Sequence, residues 1–134
     1  MKNLVIGQSG GPTAVINASL YGAVKAFRES GADGHVLGMI NGIEGFLADH
    51  VMDLSTDLSD KELELLKLTP AAYLGSCRYK LPADLDSEVY PAIFDNFREM
   101  NIGYFLYVGG NDSMDTVDKL SRYAEKIGSD VKFI

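Results

Sequence analysis

The chain has 134 residues, of which 46% are hydrophobic and 23% are charged, and this composition is typical of one globular domain. Twelve Lys and Arg residues against 19 Asp and Glu residues leave a formal net charge of −7, which disfavours binding to duplex nucleic acid because that needs a basic surface. No apolar run approaches the ~18 residues of a membrane span, and the start of the chain is too short and polar for a signal peptide. We therefore expect neither a nucleic-acid partner nor a membrane partner.

The chain has a single cysteine, Cys77, which cannot form an internal disulfide. This fits a reducing compartment, and we expect a cytoplasmic protein. A zinc site is not expected, because only Cys77, His35 and His50 could supply soft or imidazole ligands and their spacing matches no metal motif.

The first part of the chain alternates between strand-like and helix-like segments. Leu4 to Ile6 is a short apolar run of the kind found in buried parallel strands. Apolar residues then recur on one helical face from Ile16 to Phe27, and the pair Ser30-Gly31 is expected to end that helix. A second strand is predicted over 36–40, followed by a glycine-rich loop over 41–45.

The second part of the chain continues this alternation. The capping box that begins at Ser59 predicts a short helix through Leu66, and helical spacing predicts further helices over 86–100 and around 117–127. Apolar runs predict strands over 104–108 and 131–134. Strands that alternate with crossover helices predict an α/β fold with a three-layer, doubly wound, mainly parallel sheet. Because the chain stops inside an apolar strand, we expect this domain to be incomplete at its C-terminus and the chain to be the first part of a longer protein.

A glycine-rich loop, Gly7-Gln8-Ser9-Gly10-Gly11-Pro12-Thr13, follows the first strand, where parallel α/β sheets bind ligands. The adjacent glycines Gly10 and Gly11 let backbone N–H groups approach an anion, and the helix behind them adds a positive dipole. The pattern is neither the dinucleotide fingerprint nor the Walker lysine motif. A tight strand-to-helix turn without a ligand is the alternative interpretation.

A second loop of this kind, Gly109-Gly110-Asn111-Asp112-Ser113, follows the strand predicted at 104–108. Asn111 and Asp112 offer hard oxygen ligands and Ser113 offers a hydroxyl, a combination that could hold a partly hydrated Mg²⁺ beside a phosphate. Alternatively, Asp112 and Ser113 cap the next helix.

Arg78 lies between these loops, in the segment Gly75-Ser76-Cys77-Arg78-Tyr79-Lys80. A guanidinium group matches phosphate oxygens in a bidentate manner and stabilises charge on a transferring phosphoryl group. A solvated loop arginine is the alternative interpretation.

Together, the three segments from Gln8 to Ala18, from Gly75 to Tyr79 and from Gly109 to Ser113 resemble the phosphofructokinase family, most of all its pyrophosphate-dependent branch. The resemblance implies a phosphofructokinase-like fold in which residues 1–134 are the amino-terminal, phosphoryl-donor-binding part. It also implies phosphoryl transfer from pyrophosphate to the 1-hydroxyl of fructose 6-phosphate. This step of glycolysis gives fructose 1,6-bisphosphate and uses Mg²⁺.

The resemblance also implies a role for each candidate site residue that precedes the last loop. Gly10 and Gly11 correspond to the loop that binds the donor phosphates. Arg78 corresponds to the arginine that contacts the transferred group, and it is one of two implied catalytic residues. Tyr79 corresponds to an aromatic residue beside the donor.

In the last loop, the resemblance implies that Gly110, Asp112 and Ser113 bind the donor and that Asp112 is the second catalytic residue. The family's Gly-Gly-Asp-Gly-Ser loop holds Mg²⁺ through its first aspartate in ATP-dependent members. Asn111 stands at that position here, and its uncharged carboxamide is expected to bind metal more weakly. Asp112 stands where pyrophosphate-dependent members have aspartate in place of the following glycine, and we expect it to share the metal.

Asp112 also bears on the choice of donor. ATP would place its α-phosphate where pyrophosphate ends, and a carboxylate about 4 Å from that charge costs about 4 kcal/mol at an effective dielectric of ~20. This corresponds to a discrimination on the order of 10³-fold, so pyrophosphate is the predicted donor. The alternatives are an ATP-dependent 6-phosphofructokinase or related kinase, and a non-catalytic α/β module that binds an anion or a partner.

The resemblance places the family's catalytic base in a Pro-Lys-Thr-Ile-Asp-Asn-Asp segment that would begin beyond Ile134. We therefore expect the isolated 134-residue polypeptide to bind phosphate weakly and to be inactive. The resemblance further implies a homo-oligomer of full-length chains, either a dimer or a tetramer.

Overall fold

A five-stranded sheet forms the centre of the computed structural model, which describes residues 2–8, 14–30, 34–55, 59–66, 74, 81–109 and 111–134. The strands are β1 (Asn3–Gln8), β2 (Val36–Met39), β3 (Val51–Asp53), β4 (Ile102–Val108) and β5 (Lys132–Phe133). Their order across the sheet is β3-β2-β1-β4-β5. All neighbouring strands are parallel except β2 and β3, which are antiparallel. The mainly parallel sheet predicted from the sequence is confirmed.

Five helices accompany the sheet in the part of the chain that the structure describes. They are α1 (Ala14–Glu29), α2 (Gly42–Leu47), α3 (Asp60–Leu66), α4 (Val89–Glu99) and α5 (Asn111–Ile127). The capping box predicted at the start of α3 is present, since the Glu62 N–H donates to Ser59 Oγ at 3.1 Å and the Ser59 N–H donates to Glu62 Oε1 at 3.2 Å.

The core is divided between the two faces of the sheet, which makes three layers. In β1, Leu4 and Ile6 belong to the cluster that packs against α1, whereas Val5 belongs to the cluster beneath α2, α4 and α5. This alternation follows from the two-residue period of a strand. It explains why the apolar run of β1 has no polar side: both of its faces are covered.

Three details differ from the sequence predictions. The segment predicted as a glycine-rich loop over 41–45 is the start of helix α2, and the antiparallel strand β3 was not predicted. Ile127, the last apolar residue of the helical spacing that predicted a helix around 117–127, is 44% exposed. The helix α2 can start directly after β2 because Asn41 and Gly42 adopt φ angles of 60° and 64°, which asparagine and glycine tolerate.

Gly45 allows the tight approach between α2 and the end of β2. A Cβ atom at this position would lie 1.5 Å from the Ile40 carbonyl oxygen, so any side chain would displace the backbone. Among the described residues, no helix is both long enough and apolar enough to cross a membrane.

Candidate functional site

The carboxyl ends of β1 and β4 lie side by side in the sheet. Gln8, the last residue of β1, is paired with Val108, the last residue of β4. Neighbouring strands are about 4.8 Å apart, so the chain segments that follow these two residues start next to each other. Two of the three segments singled out in the sequence therefore leave the sheet at the same edge, as expected for a parallel α/β fold.

Two long helices begin at this edge. α1 starts at Ala14, after the segment that follows β1, and α5 starts at Asn111, after the segment that follows β4. The first N–H groups of a helix have no partner within the helix, and they carry the positive end of its dipole. This edge of the sheet is therefore suited to an anion.

The described residues include only part of the predicted site. Asn111 and Asp112 form the start of α5, and Ser113 is its third residue. Asp112 and Ser113 thus lie within the first turn of α5 and not before it. Five predicted donor-binding residues lie outside the described residues: Gly10, Gly11, Arg78, Tyr79 and Gly110. Cys77, which precedes Arg78, also lies outside them.

Ser113 carries an unsatisfied buried hydroxyl. The residue is 1% exposed, and its Oγ atom has no hydrogen-bond partner in the part of the chain that the structure describes. A buried polar group left without a partner costs about 1–3 kcal/mol, so such groups normally have a ligand or another partner. Ser113 lies in the first turn of α5, where the helix N–H groups have no partner within the helix.

The residue that precedes the Arg78 segment, Leu74, is held at the same edge by both of its backbone groups. Its N–H donates to the side-chain Oε1 of Gln8 at 2.8 Å. Its carbonyl oxygen accepts a hydrogen bond from the N–H of Asn41 at 2.8 Å. The Leu74 side chain is buried in the apolar cluster against α1. The chain is thus attached across the carboxyl ends of β1 and β2 before it enters the segment 75–80.

The residues that follow the Arg78 segment are attached to helices. Lys119 of α5 donates from its Nζ atom to the carbonyl oxygen of Leu81 at 2.8 Å, and the Tyr90 hydroxyl of α4 donates to the carbonyl oxygen of Pro82. Leu81 is itself buried.

The predicted metal ligands, Asn111 and Asp112, are of the residue types that bind magnesium. Within the described residues, no group of three or more His, Cys, Asp or Glu side chains could hold a metal ion. Asn111 and Asp112, in the first turn of α5, offer a carboxamide oxygen and a carboxylate, and Mg²⁺ commonly binds one or two such groups together with substrate phosphates and water. Their chemistry fits this ion.

Two surface cavities lie away from this edge. One, of about 520 Å³, is lined by residues such as Lys2, Arg98 and Asn101 near the amino ends of the strands. The other, of about 420 Å³, is mostly apolar and lies against β4 near Phe27 and Tyr104. Because neither is lined by a residue of the predicted site, we assign the candidate site to the carboxyl edge on its chemistry and not on cavity size.

Sequence reasoning missed the residues that anchor the Arg78 segment, notably Gln8 and Lys119. Gln8 belongs to the first glycine-rich segment, and its residue type alone indicates no role there. A polar residue at the end of an apolar strand is the signal that could have indicated it. Nothing in the sequence indicates that Lys119 contacts Leu81, because the two residues are 38 positions apart.

The chain matches the model of the phosphofructokinase family over residues 3–133. The chain belongs to the phosphofructokinase family. The resemblance stated from the three sequence segments is thereby confirmed.

The chain is also similar to individual members of the family. It is 43% identical over 129 residues to the pyrophosphate–fructose 6-phosphate 1-phosphotransferase of Halomonas elongata, covering 94% of this chain and 30% of that protein. It is 41% identical over 123 residues to the protein of the same name from Rhodospirillum rubrum, covering 92% of this chain and 29% of that protein. It thus spans about 30% of the length of these relatives.

The fold agrees with a solved structure of the same branch. The pyrophosphate-dependent phosphofructokinase of Nitrosospira multiformis superposes with a TM-score of 0.88 at 40% identity, covering 97% of this chain and 32% of that chain. The resemblance to the pyrophosphate-dependent branch and the predicted phosphofructokinase-like fold are therefore both confirmed.

Proposed function

We propose that the protein transfers a phosphoryl group from pyrophosphate to the 1-hydroxyl of fructose 6-phosphate, and that residues 1–134 supply the donor and magnesium part of the active site. The observation that carries this proposal is the pairing of β1 with β4, which puts the last residues of both strands, and with them the starts of α1 and α5, at one edge of the sheet. Helix N-termini that meet at such an edge are suited to a phosphate donor. The names of the relatives support the same reaction.

The residues of this chain have separate tasks in the proposed reaction. The sugar hydroxyl oxygen attacks the terminal phosphorus of pyrophosphate, the bond from phosphorus to the bridging oxygen breaks, and orthophosphate leaves. The hydroxyl proton passes to a general base. Arg78 stabilises the charge on the transferring group, and the backbone N–H groups around Gly10, Gly11 and Gly110 bind the donor oxygens.

The remaining site residues orient the donor. Ser113 donates its buried hydroxyl to a phosphate oxygen, and Tyr79 lies beside the donor. Asn111 and Asp112 would hold Mg²⁺, which when bound neutralises negative charge on pyrophosphate. The Asp112 carboxylate also disfavours the α-phosphate of ATP. Through the resemblance we further infer a cytoplasmic glycolytic enzyme that works as a dimer or tetramer.

A donor-choice experiment on the full-length protein tests this proposal. Formation of fructose 1,6-bisphosphate is measured with magnesium pyrophosphate and with magnesium ATP, for the wild type and for Asp112→Gly. We expect the wild type to use pyrophosphate, and Asp112→Gly to shift the ratio of kcat/KM values toward ATP by up to about 10³-fold, the size of the expected charge repulsion.

Asp118→Gly is the matched control, because it also removes a carboxylate from α5. That carboxylate is paired with Arg122 at 3.2 Å and is 55% exposed. The donor ratio of this variant should equal that of the wild type. A wild type that prefers ATP would contradict the assignment of the donor, and transfer from neither donor would favour a non-catalytic anion-binding module.

A further inference from the structure

We propose that Asn17 is a positioning residue that holds the first turn of α1 against the end of β1, so that the N-terminal end of this helix faces the phosphate donor. This inference rests on the proposed function, since it requires the donor to bind where the starts of α1 and α5 meet. Asn17 contacts neither donor nor sugar in this account, and it acts through the backbone of α1.

A buried hydrogen bond joins the start of α1 to the end of β1. Asn17 is the fourth residue of the helix, Gln8 is the last residue of the strand, and both are fully buried. The Nε2 atom of Gln8 donates to Oδ1 of Asn17 at 2.9 Å. The other end of the Gln8 carboxamide, Oε1, accepts the N–H of Leu74 at 2.8 Å, so the nitrogen is oriented toward Asn17. The start of the helix is thus attached directly to the sheet by side chains.

Asn17 continues an apolar helix face with a polar side chain. Leu20 and Val24 follow it at helical spacing, are fully buried and belong to the cluster on this side of the sheet. Burying two carboxamides costs free energy unless they are paired, and an apolar pair of the same shape would be about as stable. Apolar packing has no direction, whereas a hydrogen bond depends on distance and angle. The amide pair therefore fixes the position of the helix start and adds little net stability.

The position of Asn17 affects the donor because the end of a helix is its least constrained part. Terminal turns fray, and the first N–H groups have no partner within the helix. α1 begins at Ala14, about 4.5 Å along the axis before Asn17, so these N–H groups move with the Asn17 backbone. A displacement of about 1 Å can reduce the rate of an enzyme by about 10²-fold. Loss of the bond to Gln8 is therefore expected to affect donor binding more than folding.

Asn3 provides a control carboxamide at the opposite end of β1. Its Nδ2 atom donates to the carbonyl oxygen of Met100 at 2.7 Å, and its Oδ1 atom accepts the N–H of His35 at 2.8 Å. These bonds lie at the amino edge of the sheet, away from the starts of α1 and α5. A variant of Asn3 therefore reports what the loss of a structural amide costs without a link to the donor.

The experiment is a double-mutant cycle in the full-length protein, with kcat and separate KM values for magnesium pyrophosphate and fructose 6-phosphate as readouts. The variants are Asn17→Leu, Gln8→Met and the double variant, with Asn3→Leu as the control. Leucine and methionine keep the approximate size of the two amides without their polar atoms. Urea unfolding of each variant measures what the same changes cost in stability.

We expect Asn17→Leu to raise the KM for magnesium pyrophosphate about 10-fold, the equivalent of one hydrogen bond, and to leave the KM for fructose 6-phosphate within about twofold. In the Gln8→Met background, the same change should raise the KM for pyrophosphate by less than about twofold, because the two residues act as one unit. Asn3→Leu should leave both KM values within about twofold. If Asn17→Leu does not fold, Asn17→Ala, which favours the helix, takes its place in the cycle.

The outcomes distinguish this inference from the proposed function. An unchanged KM for pyrophosphate, or an equal rise in the KM values of both substrates, would overturn the role of Asn17 while leaving the reaction intact. Equal effects of Asn17→Leu in the wild-type and Gln8→Met backgrounds would overturn it as well. A wild type without pyrophosphate-dependent activity would contradict the proposed function itself.

Discussion

The Nζ atom of Lys119 lies 2.8 Å from the carbonyl oxygen of Leu81, although the two residues are 38 positions apart in the chain. The same ammonium group is 2.7 Å from Oδ2 of Asp115, one turn earlier in α5, and the lysine side chain is only 19% exposed. This contact attaches the chain that follows the Arg78 segment to the helix that begins with Asn111. The Lys119 side chain thus joins Leu81 to the helix that carries Asn111 and Asp112.

Replacing Lys119 with Met should destabilise the protein by about 1–3 kcal/mol, because the buried Leu81 carbonyl loses its donor. Urea unfolding of the full-length protein measures this change. Lys126→Met in the same helix is the control: its Nζ atom contacts Oδ1 of Asp86 at 2.6 Å, but both side chains are well exposed, so little change is expected. Equal stabilities of the two variants would show that the Leu81 contact contributes nothing.

Ser113→Ala should leave the stability of the unliganded protein unchanged or raise it slightly. The hydroxyl is buried without a partner among the described residues, so its removal relieves a desolvation cost. If Ser113 donates to the donor phosphate, the same variant should raise the KM for magnesium pyrophosphate about 3- to 10-fold, corresponding to one hydrogen bond. Unfolding by urea and steady-state kinetics measure the two effects.

Thr116→Val is the matched control for Ser113→Ala. Thr116 is also buried, lies three residues later in α5 and has an interaction partner. Its replacement should lower stability and leave the KM for pyrophosphate unchanged. If Ser113→Ala instead lowers stability without changing that KM, the hydroxyl has a structural partner and no contact with the donor.

The contacts of the Asp53 carboxylate predict that the folded protein loses stability at acidic pH. Partial burial raises the pKa of this carboxyl, but hydrogen bonds from the Ser55 hydroxyl and N–H, together with the contact to His35 Nδ1 at 2.9 Å, outweigh it and hold the pKa below its usual value. The unfolded chain therefore binds a proton at a higher pH than the folded protein does. The stabilisation is present above about pH 4 and is lost as the pH falls through the folded-state pKa.

The difference in unfolding free energy between the wild type and Asp53→Asn should therefore be largest near neutral pH and shrink at about pH 3 and below. Urea unfolding at several pH values measures it, and NMR titration of the carboxyl carbon gives the pKa directly. Ser55→Ala should move that pKa back toward its usual value, because it removes the hydroxyl donor. A difference that stays constant with pH would contradict the link between these contacts and stability.

Local signals were sufficient for most elements of the fold. The apolar run of β1 and the helical spacing along α4 predicted elements within a few residues of their observed bounds, because the first is a short continuous apolar run that ends at Gly7 and the second repeats with the period of a helix. β3 was missed because its three residues are too few for a pattern, and it forms through pairing with β2. α2 was mistaken for a loop because Gly42 and Gly45 look like turn residues, whereas the structure uses them for a reversal and a close approach.

The sequence by itself determined the family, the α/β class and the three segments that carry the predicted chemistry, since residue type and local spacing are sufficient for these. The tertiary structure decided which distant residues meet. The strand order brings Gln8 beside Val108, and the path of the chain brings Leu74 to Gln8 and Leu81 to Lys119. Such contacts have no local pattern, because burial of a polar side chain beside a backbone group 66 positions away depends on how the whole chain packs.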